Sequence, residues 1–152
     1  AAVTHAHPDG IAGGVAVAVA AAFAVRNRGQ AAADVRAALF ETVLAHTPPG
    51  DVRRNVENAA AVDPALSPRS AAGLLGNGRR VTCPDTVSFC LWVFGRSFGD
   101  YPTAIWDTVR QGGDIDTNAA IVGGLAALSG GPDVIPPDWL AAREALQIDS
   151  LP

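Results

Sequence analysis

The sequence lacks methionine and lysine entirely, and only 17% of its 152 residues are charged. Every basic side chain is therefore an arginine, and the formal net charge is −4. Proteins that bind nucleic acid concentrate basic side chains on one face, and this composition leaves too few for such a face. We therefore expect no nucleic-acid partner. Because the sequence starts with neither methionine nor a signal-peptide pattern, we also expect it to be part of a longer polypeptide.

Cysteine is scarce, and the two cysteines, Cys83 and Cys90, fall in one segment that we predict to be helical. Their spacing along a helix separates them by about 10 Å, which is beyond the reach of a disulfide bond. Free thiols are typical of proteins in a reducing compartment. We therefore expect a cytoplasmic location.

Long hydrophobic runs are few and short. Residues 10–25 form an uncharged run, mostly alanine and valine, between Asp9 and Arg26. A helix that spans a bilayer needs roughly 20 apolar residues, so this run predicts a buried helix and no membrane partner.

Strand patterns are nearly absent, because no segment alternates apolar and polar residues for long. Alanine-rich segments bounded by proline, glycine, aspartate and serine recur instead, and they predict helices. We expect a single all-α domain over residues 1–152, an orthogonal bundle of seven or eight helices around the Ala/Gly-rich first helix. The predicted helices cover about residues 8–28, 31–45, 51–62, 67–75, 84–94, 101–110, 117–128 and 137–146. Asp51 is predicted to cap the third, and the pair Ser67-Pro68 to start the fourth. Large residues such as Phe89 and Trp92 place the fifth helix in the core.

The segment Gly112-Gly113-Asp114-Ile115-Asp116-Thr117 combines two carboxylates and a hydroxyl in a glycine-preceded turn at the start of a helix. Carboxylate and hydroxyl oxygens are hard ligands that suit Mg²⁺, Mn²⁺ or Ca²⁺ better than zinc. The segment therefore predicts part of a site for a hard divalent metal ion. Three side chains supply only about half of the six or so ligands that Mg²⁺ needs, so the other ligands must come from elsewhere.

Two alternatives compete with a metal site at this segment. Asp114, Asp116 and Asn118 match positions one, three and five of an EF-hand loop, but Ala119 and Leu125 stand where that loop requires glycine and glutamate, so we reject an EF-hand. The second alternative is structural. Asp116 or Thr117 could simply cap the helix while Asp114 stays in a solvated loop, and the spacing alone does not decide against this.

The same segment, followed by a helix of small residues, resembles the C-terminal signature of the ADP-ribosylglycohydrolase family. Residues 4–13, Thr-His-Ala-His-Pro-Asp-Gly-Ile-Ala-Gly, resemble the family's Thr-His segment before a central Ala/Gly helix. The order of Gly76-Asn77-Gly78 and of the aromatic helix after Asp85 also fits. The resemblance covers about residues 3–131.

The resemblance implies an all-α hydrolase that binds two Mg²⁺ or Mn²⁺ ions and releases ADP-ribose from a protein side chain or a small acceptor. It implies that Asp114, Asp116 and Thr117 are metal ligands. It also implies that the substrate, ADP-ribose or an ADP-ribosylated molecule, is bound by His5, Gly112, Gly113 and Asp114.

The family's N-terminal half carries a second acidic metal-binding segment, an acidic catalytic residue and a Gly-rich loop, and this sequence contains none of them. We therefore expect the chain to be the C-terminal part of a larger domain, completed in cis or by a separate chain that also supplies the catalytic residue. The alternative is a catalytically inactive ADP-ribose-binding or structural fragment.

Several other residues have an ordinary structural interpretation beside a functional one. Gly76-Asn77-Gly78 with Arg79 and Arg80 predicts a tight turn before it predicts a phosphate-binding loop. Asp85 predicts a helix cap that could also face the cleft. His7 is as suited to capping as to binding a metal ion.

Overall fold

Eight helices and no strand form the part of the chain that the computed structural model describes, residue 3 and residues 6–144. The helices are α1 (Pro8–Arg26), α2 (Ala32–His46), α3 (Asp51–Ala61), α4 (Pro68–Leu75), α5 (Cys83–Arg96), α6 (Tyr101–Val109), α7 (Ile115–Gly130) and α8 (Pro137–Ala142). The all-α prediction is therefore confirmed. The last helix was predicted to continue to residue 146, but it ends at Ala142, because the backbone of Arg143 is extended. Residues 145–152 lie outside the described part.

Prolines and polar caps determine where most helices begin. Pro8 occupies the first turn of α1, and the His7 side chain accepts a hydrogen bond from the Asp9 amide at 3.2 Å. This is the capping role that the sequence suggested for His7. Asp51, predicted as a cap, is instead the first residue of α3: Gly50 precedes it, and the Asp51 carboxylate pairs with Arg54.

Helix α5 lies at the centre of the core and contacts α1, α2, α3, α4, α6 and α7. Trp92, Phe89 and Phe94 are fully buried on it, as the aromatic content of the segment predicted. Burying a large aromatic side chain stabilises a fold by roughly 1.5–3 kcal/mol. Because α5 is fixed by contacts on all sides, its first turn is a rigid platform for the loop before it.

Helix α1 is the Ala/Gly-rich helix, and it packs against α2, α3, α5 and α7. Its small side chains allow close approach: a Cβ added to Gly13 would lie 3.0 Å from the Cys83 sulfur at the start of α5. Among the described helices, α1 alone is long and apolar enough to cross a membrane, a property that core helices share. Four helices contact α1, but only 28% of its apolar window is buried, so the prediction of a buried helix holds for one face of α1.

The first turns of α5 and α7 meet beside the second and third turns of α1, and residues from all three helices line a common pocket. Each helix N-terminus carries unpaired backbone amides and a partial positive charge of about half a unit. This end of the protein is therefore suited to a ligand with negative groups.

Candidate functional site

A pocket of about 400 Å³ opens between the N-terminal turns of α5 and α7 and residues 13–17 of α1. Its lining residues are Gly13, Gly14 and Val17 from α1, Val81 and Thr82 from the preceding loop, Cys83, Thr86 and Val87 from α5, Asp114, and Thr117 and Ile121 from α7. The pocket therefore contains two of the three predicted metal ligands, on an otherwise largely apolar wall.

Asp114 is the residue that directly precedes α7, and its side chain makes no capping hydrogen bond. The half-buried carboxylate is thus free to face the pocket. Thr117 lines the same pocket from the first turn of α7, whereas Asp116 is exposed beside it. The backbone amides of Asp116 and Thr117 help to lower the pKa of the Asp116 carboxyl, but no side-chain capping hydrogen bond forms at the start of α7.

The carboxyl groups of Asp114 and Asp116 lie within hydrogen-bonding reach of one another. This contact with Asp114 is the main reason that the pKa of Asp116 is lowered, and the amides of Asp116 and Thr117 lower it further. Neither carboxylate takes part in an ion pair among the described residues. Two adjacent carboxylates without a basic partner form an arrangement that a bound cation would stabilise.

Gly112 and Gly113 form the turn before Asp114, with φ angles of 67° and 75° that favour glycine. Gly112 has no atom within 4 Å of where a Cβ would stand. A Cβ on Gly113, however, would lie 2.6 Å from Asn77 Cγ and closer still to the Asn77 carbonyl oxygen. Gly113 therefore allows the predicted metal-binding turn to touch the loop that contains Gly76-Asn77-Gly78.

Asn77 and Asn118 join these two segments, and the sequence analysis assigned neither of them this role. The Asn77 carbonyl oxygen accepts hydrogen bonds from the Asp114 amide at 3.1 Å and from Asn118 Nδ2 at 2.8 Å. The Asn77 side chain in turn donates to the Gln111 carbonyl oxygen at 3.0 Å. The sequence signal was present but weak, because a buried asparagine in a helix of small apolar residues requires partners.

Asp85 holds the loop that contains Gly76-Asn77-Gly78 and Arg80. It is buried in the first turn of α5, and its carboxylate accepts a hydrogen bond from the Arg80 amide at 2.7 Å. The loop therefore turns tightly around Asp85, as predicted for Gly76-Asn77-Gly78. Arg79, which is exposed, lines a neighbouring cavity of about 330 Å³ together with Gly113 and Asp114.

Val81 is the one non-glycine residue with a positive φ, 55°, among the described residues. This conformation is rare for a β-branched residue and is typical of functional segments. Val81 is 82% exposed and lines the main pocket, the cavity beside Asp114 and a third cavity at the start of α1. Sequence reasoning missed it, because valine itself gives no sign of a strained turn.

The predictions for His5, His7 and the two cysteines remain. His5 lies outside the described residues. His7 and Asp9 line the cavity of about 270 Å³ at the start of α1, next to Val81. Cys83 and Cys90 are free thiols, and burial raises the pKa of each.

The described residues contain no group of three or more histidine, cysteine, aspartate or glutamate side chains that could hold a metal ion. The donors at Asp114, Asp116 and Thr117 therefore fit a hard cation chemically but form only part of a coordination shell.

Comparison with known proteins identifies one family. A family model described as ADP-ribosylglycohydrolase matches residues 1–152, the full length given. No curated protein and no solved structure matches the chain.

Proposed function

Because the chain belongs to the ADP-ribosylglycohydrolase family, we propose that it supplies part of a metal-dependent hydrolase that removes ADP-ribose from a protein side chain or a small acceptor. One observation supports this most: Asp114 and Thr117, with Asp116 beside them, line the pocket where the N-termini of α5 and α7 meet. Hard oxygen ligands and positive helix ends suit the two charged parts of the reaction, a divalent cation and a diphosphate.

The family is generally metal-dependent, and the donor set here fits Mg²⁺ or Mn²⁺. Asp114, Asp116 and Thr117 would hold the cation. When bound, a cation of this kind orients ribose hydroxyls and lowers the pKa of a water molecule. Two ions, as the family resemblance implies, would share these three residues with ligands from outside the described part of the chain.

The residues of this chain contribute binding and orientation to the proposed reaction. The Asp114 carboxylate can accept a hydrogen bond from a ribose hydroxyl, because it faces the pocket and caps no helix amide. The turn at Gly112 and Gly113 brings backbone close to the ligand, and we assign His5 to the ribose or diphosphate. Val17, Val87 and Ile121 give the pocket apolar walls that limit access of water.

Glycoside hydrolysis also requires a proton donor for the leaving group, usually a carboxylic acid. We assign that residue, and the remaining metal ligands, to a segment joined to this chain or to a separate chain. The surface beside the pocket supports such a partner. Gly14, Ala18 and Ala22 on α1, and Ala120 and Gly124 on α7, are exposed small residues on two packed helices, a surface that another helix can approach closely.

Calorimetric titration of ADP-ribose into the protein, with and without MgCl₂, tests the proposal. We expect MgCl₂ to strengthen ADP-ribose binding in the wild type and in D133A, whose exposed carboxylate follows α7. We expect D116A to remove this dependence on MgCl₂. If D116A and D133A respond to MgCl₂ as the wild type does, Asp116 is not a ligand. Binding that needs no metal in any variant would instead support a catalytically inactive ADP-ribose-binding module.

A further inference from the structure

One backbone oxygen connects the two loops that form the pocket. The Asn77 carbonyl oxygen receives the Asp114 amide from one side and Asn118 Nδ2 from the other. Asp114 is the proposed metal ligand that faces the pocket, and Asn77 belongs to the loop that continues to Val81 at its rim. A shift of this carbonyl oxygen would therefore move the ligand relative to the pocket.

Asn118 is the residue that keeps this junction in place. Its side chain is 0% exposed, and its Oδ1 accepts a hydrogen bond from the Cys90 thiol of α5 at 3.5 Å. With Oδ1 held by α5, the Nδ2 group points to the Asn77 carbonyl. Asn118 also donates its own amide to the Asp114 carbonyl oxygen at 3.0 Å, so it is tied to both ends of the junction.

Asn118 does not line the pocket and would not touch a metal ion or substrate there. A buried amide whose oxygen and nitrogen both have partners fixes a geometry that an apolar residue would not. Residues that hydrogen-bond to metal ligands commonly change the affinity of a metal site by tenfold or more.

We propose that Asn118 is a positioning residue that holds Asp114 and the 76–82 loop in register, so that the metal ligands and the pocket form one site. The inference rests on the proposed function, because it assigns a purpose to the position of Asp114. The structural part of the proposal needs no metal ion: the Asp114 amide stays bonded to the Asn77 carbonyl oxygen only while the Asn118 side chain is present.

The variants N118L and S129A provide a matched test. Leucine has the branching and the number of side-chain heavy atoms of asparagine but cannot donate to Asn77. Ser129 is a fully buried polar residue at the other end of α7, where it accepts from the Gly99 amide and donates to the Ala126 carbonyl oxygen. Both variants lose buried hydrogen bonds on the same helix, so a general loss of stability should affect them alike.

Two readouts are needed, both by NMR on the ¹⁵N-labelled full chain. The first is hydrogen exchange of the Asp114 amide without metal, which we expect to accelerate about tenfold in N118L and to stay unchanged in S129A. The second is the Mn²⁺ concentration that half-broadens the signals of residues 114–117. We expect it to rise at least about fivefold in N118L and to stay within about twofold in S129A.

The outcomes separate the two claims. If N118L leaves Asp114 exchange and the Mn²⁺ midpoint as in the wild type, or if S129A changes both as much as N118L does, Asn118 has no positioning role. If the wild type shows no response to Mn²⁺, the proposed function fails, and the exchange measurement still decides whether Asn118 fixes Asp114.

Discussion

Gly112 and Gly113 allow a sharp test of how the proposed metal-binding turn is built. Both have a positive φ, so an alanine at either position incurs a backbone strain of about 1–2 kcal/mol. Only G113A adds a steric conflict, because its Cβ would overlap Asn77. To relieve this overlap, the turn at Gly113 and the loop at Asn77 must separate. The separation breaks the hydrogen bonds from the Asp114 amide and Asn118 Nδ2 to the Asn77 carbonyl, and each lost bond costs about 1–1.5 kcal/mol of stability.

We therefore expect G112A to lower the free energy of unfolding by about 1–2 kcal/mol and G113A by about 3–5 kcal/mol. For a domain of this size, each kcal/mol lowers Tm by about 2–4 °C. Differential scanning calorimetry would then show Tm lower by about 2–8 °C in G112A and by about 6–20 °C in G113A. Equal shifts in the two variants would refute the close packing of Gly113 on Asn77.

Two further predictions concern α7 and the core. G124A should raise the free energy of unfolding of the chain by about 0.5–1 kcal/mol in urea titrations, because nothing lies within 4 Å of the added Cβ. In G123A the free energy of unfolding should rise less, because the added Cβ would lie 3.1 Å from Ile105 Cδ1. An equal rise in the two variants would contradict the packing of α6 on α7. Burial, assisted by the Asp114 charge, raises the pKa of Cys90, so the unfolded chain releases this proton at lower pH than the folded one. The free energy of unfolding of the wild type should then fall as pH rises above about 9, and it should fall faster than that of C90A by up to about 1.4 kcal/mol per pH unit. Parallel pH profiles for C90A and the wild type would contradict this.

The sequence allowed the fold class and the position of most helices to be predicted, because proline, glycine and capping residues mark the helix ends directly. Pro68, for example, begins α4 where the Ser-Pro pair predicted it. Asp51 shows the limit of this reasoning: whether an aspartate precedes a helix or begins it depends on one backbone angle, which Gly50 sets here.

The candidate site was predicted in part for a similar reason. The residue types at Asp114, Asp116 and Thr117 predicted a segment that binds a hard metal ion, and this stays a prediction. What it faces could not be read from the sequence, because the pocket combines α1, α5 and α7 across long chain separations. Asn77 and Asn118 were not recognised, since their role depends on a contact between residues 41 positions apart. Val81 was missed because strain is a property of the backbone and not of the residue type.

The central claim is that Asp114, Asp116 and Thr117 bind a divalent cation beside the pocket. Its most direct test is addition of Mn²⁺ to the ¹⁵N-labelled chain, since a bound paramagnetic ion broadens only nearby amide signals. We predict selective broadening at residues 114–117 and at the adjacent Gly78 and Val81, which D116A removes and D133A leaves intact. Broadening centred on another part of the protein, or the same broadening in D116A, would contradict the account.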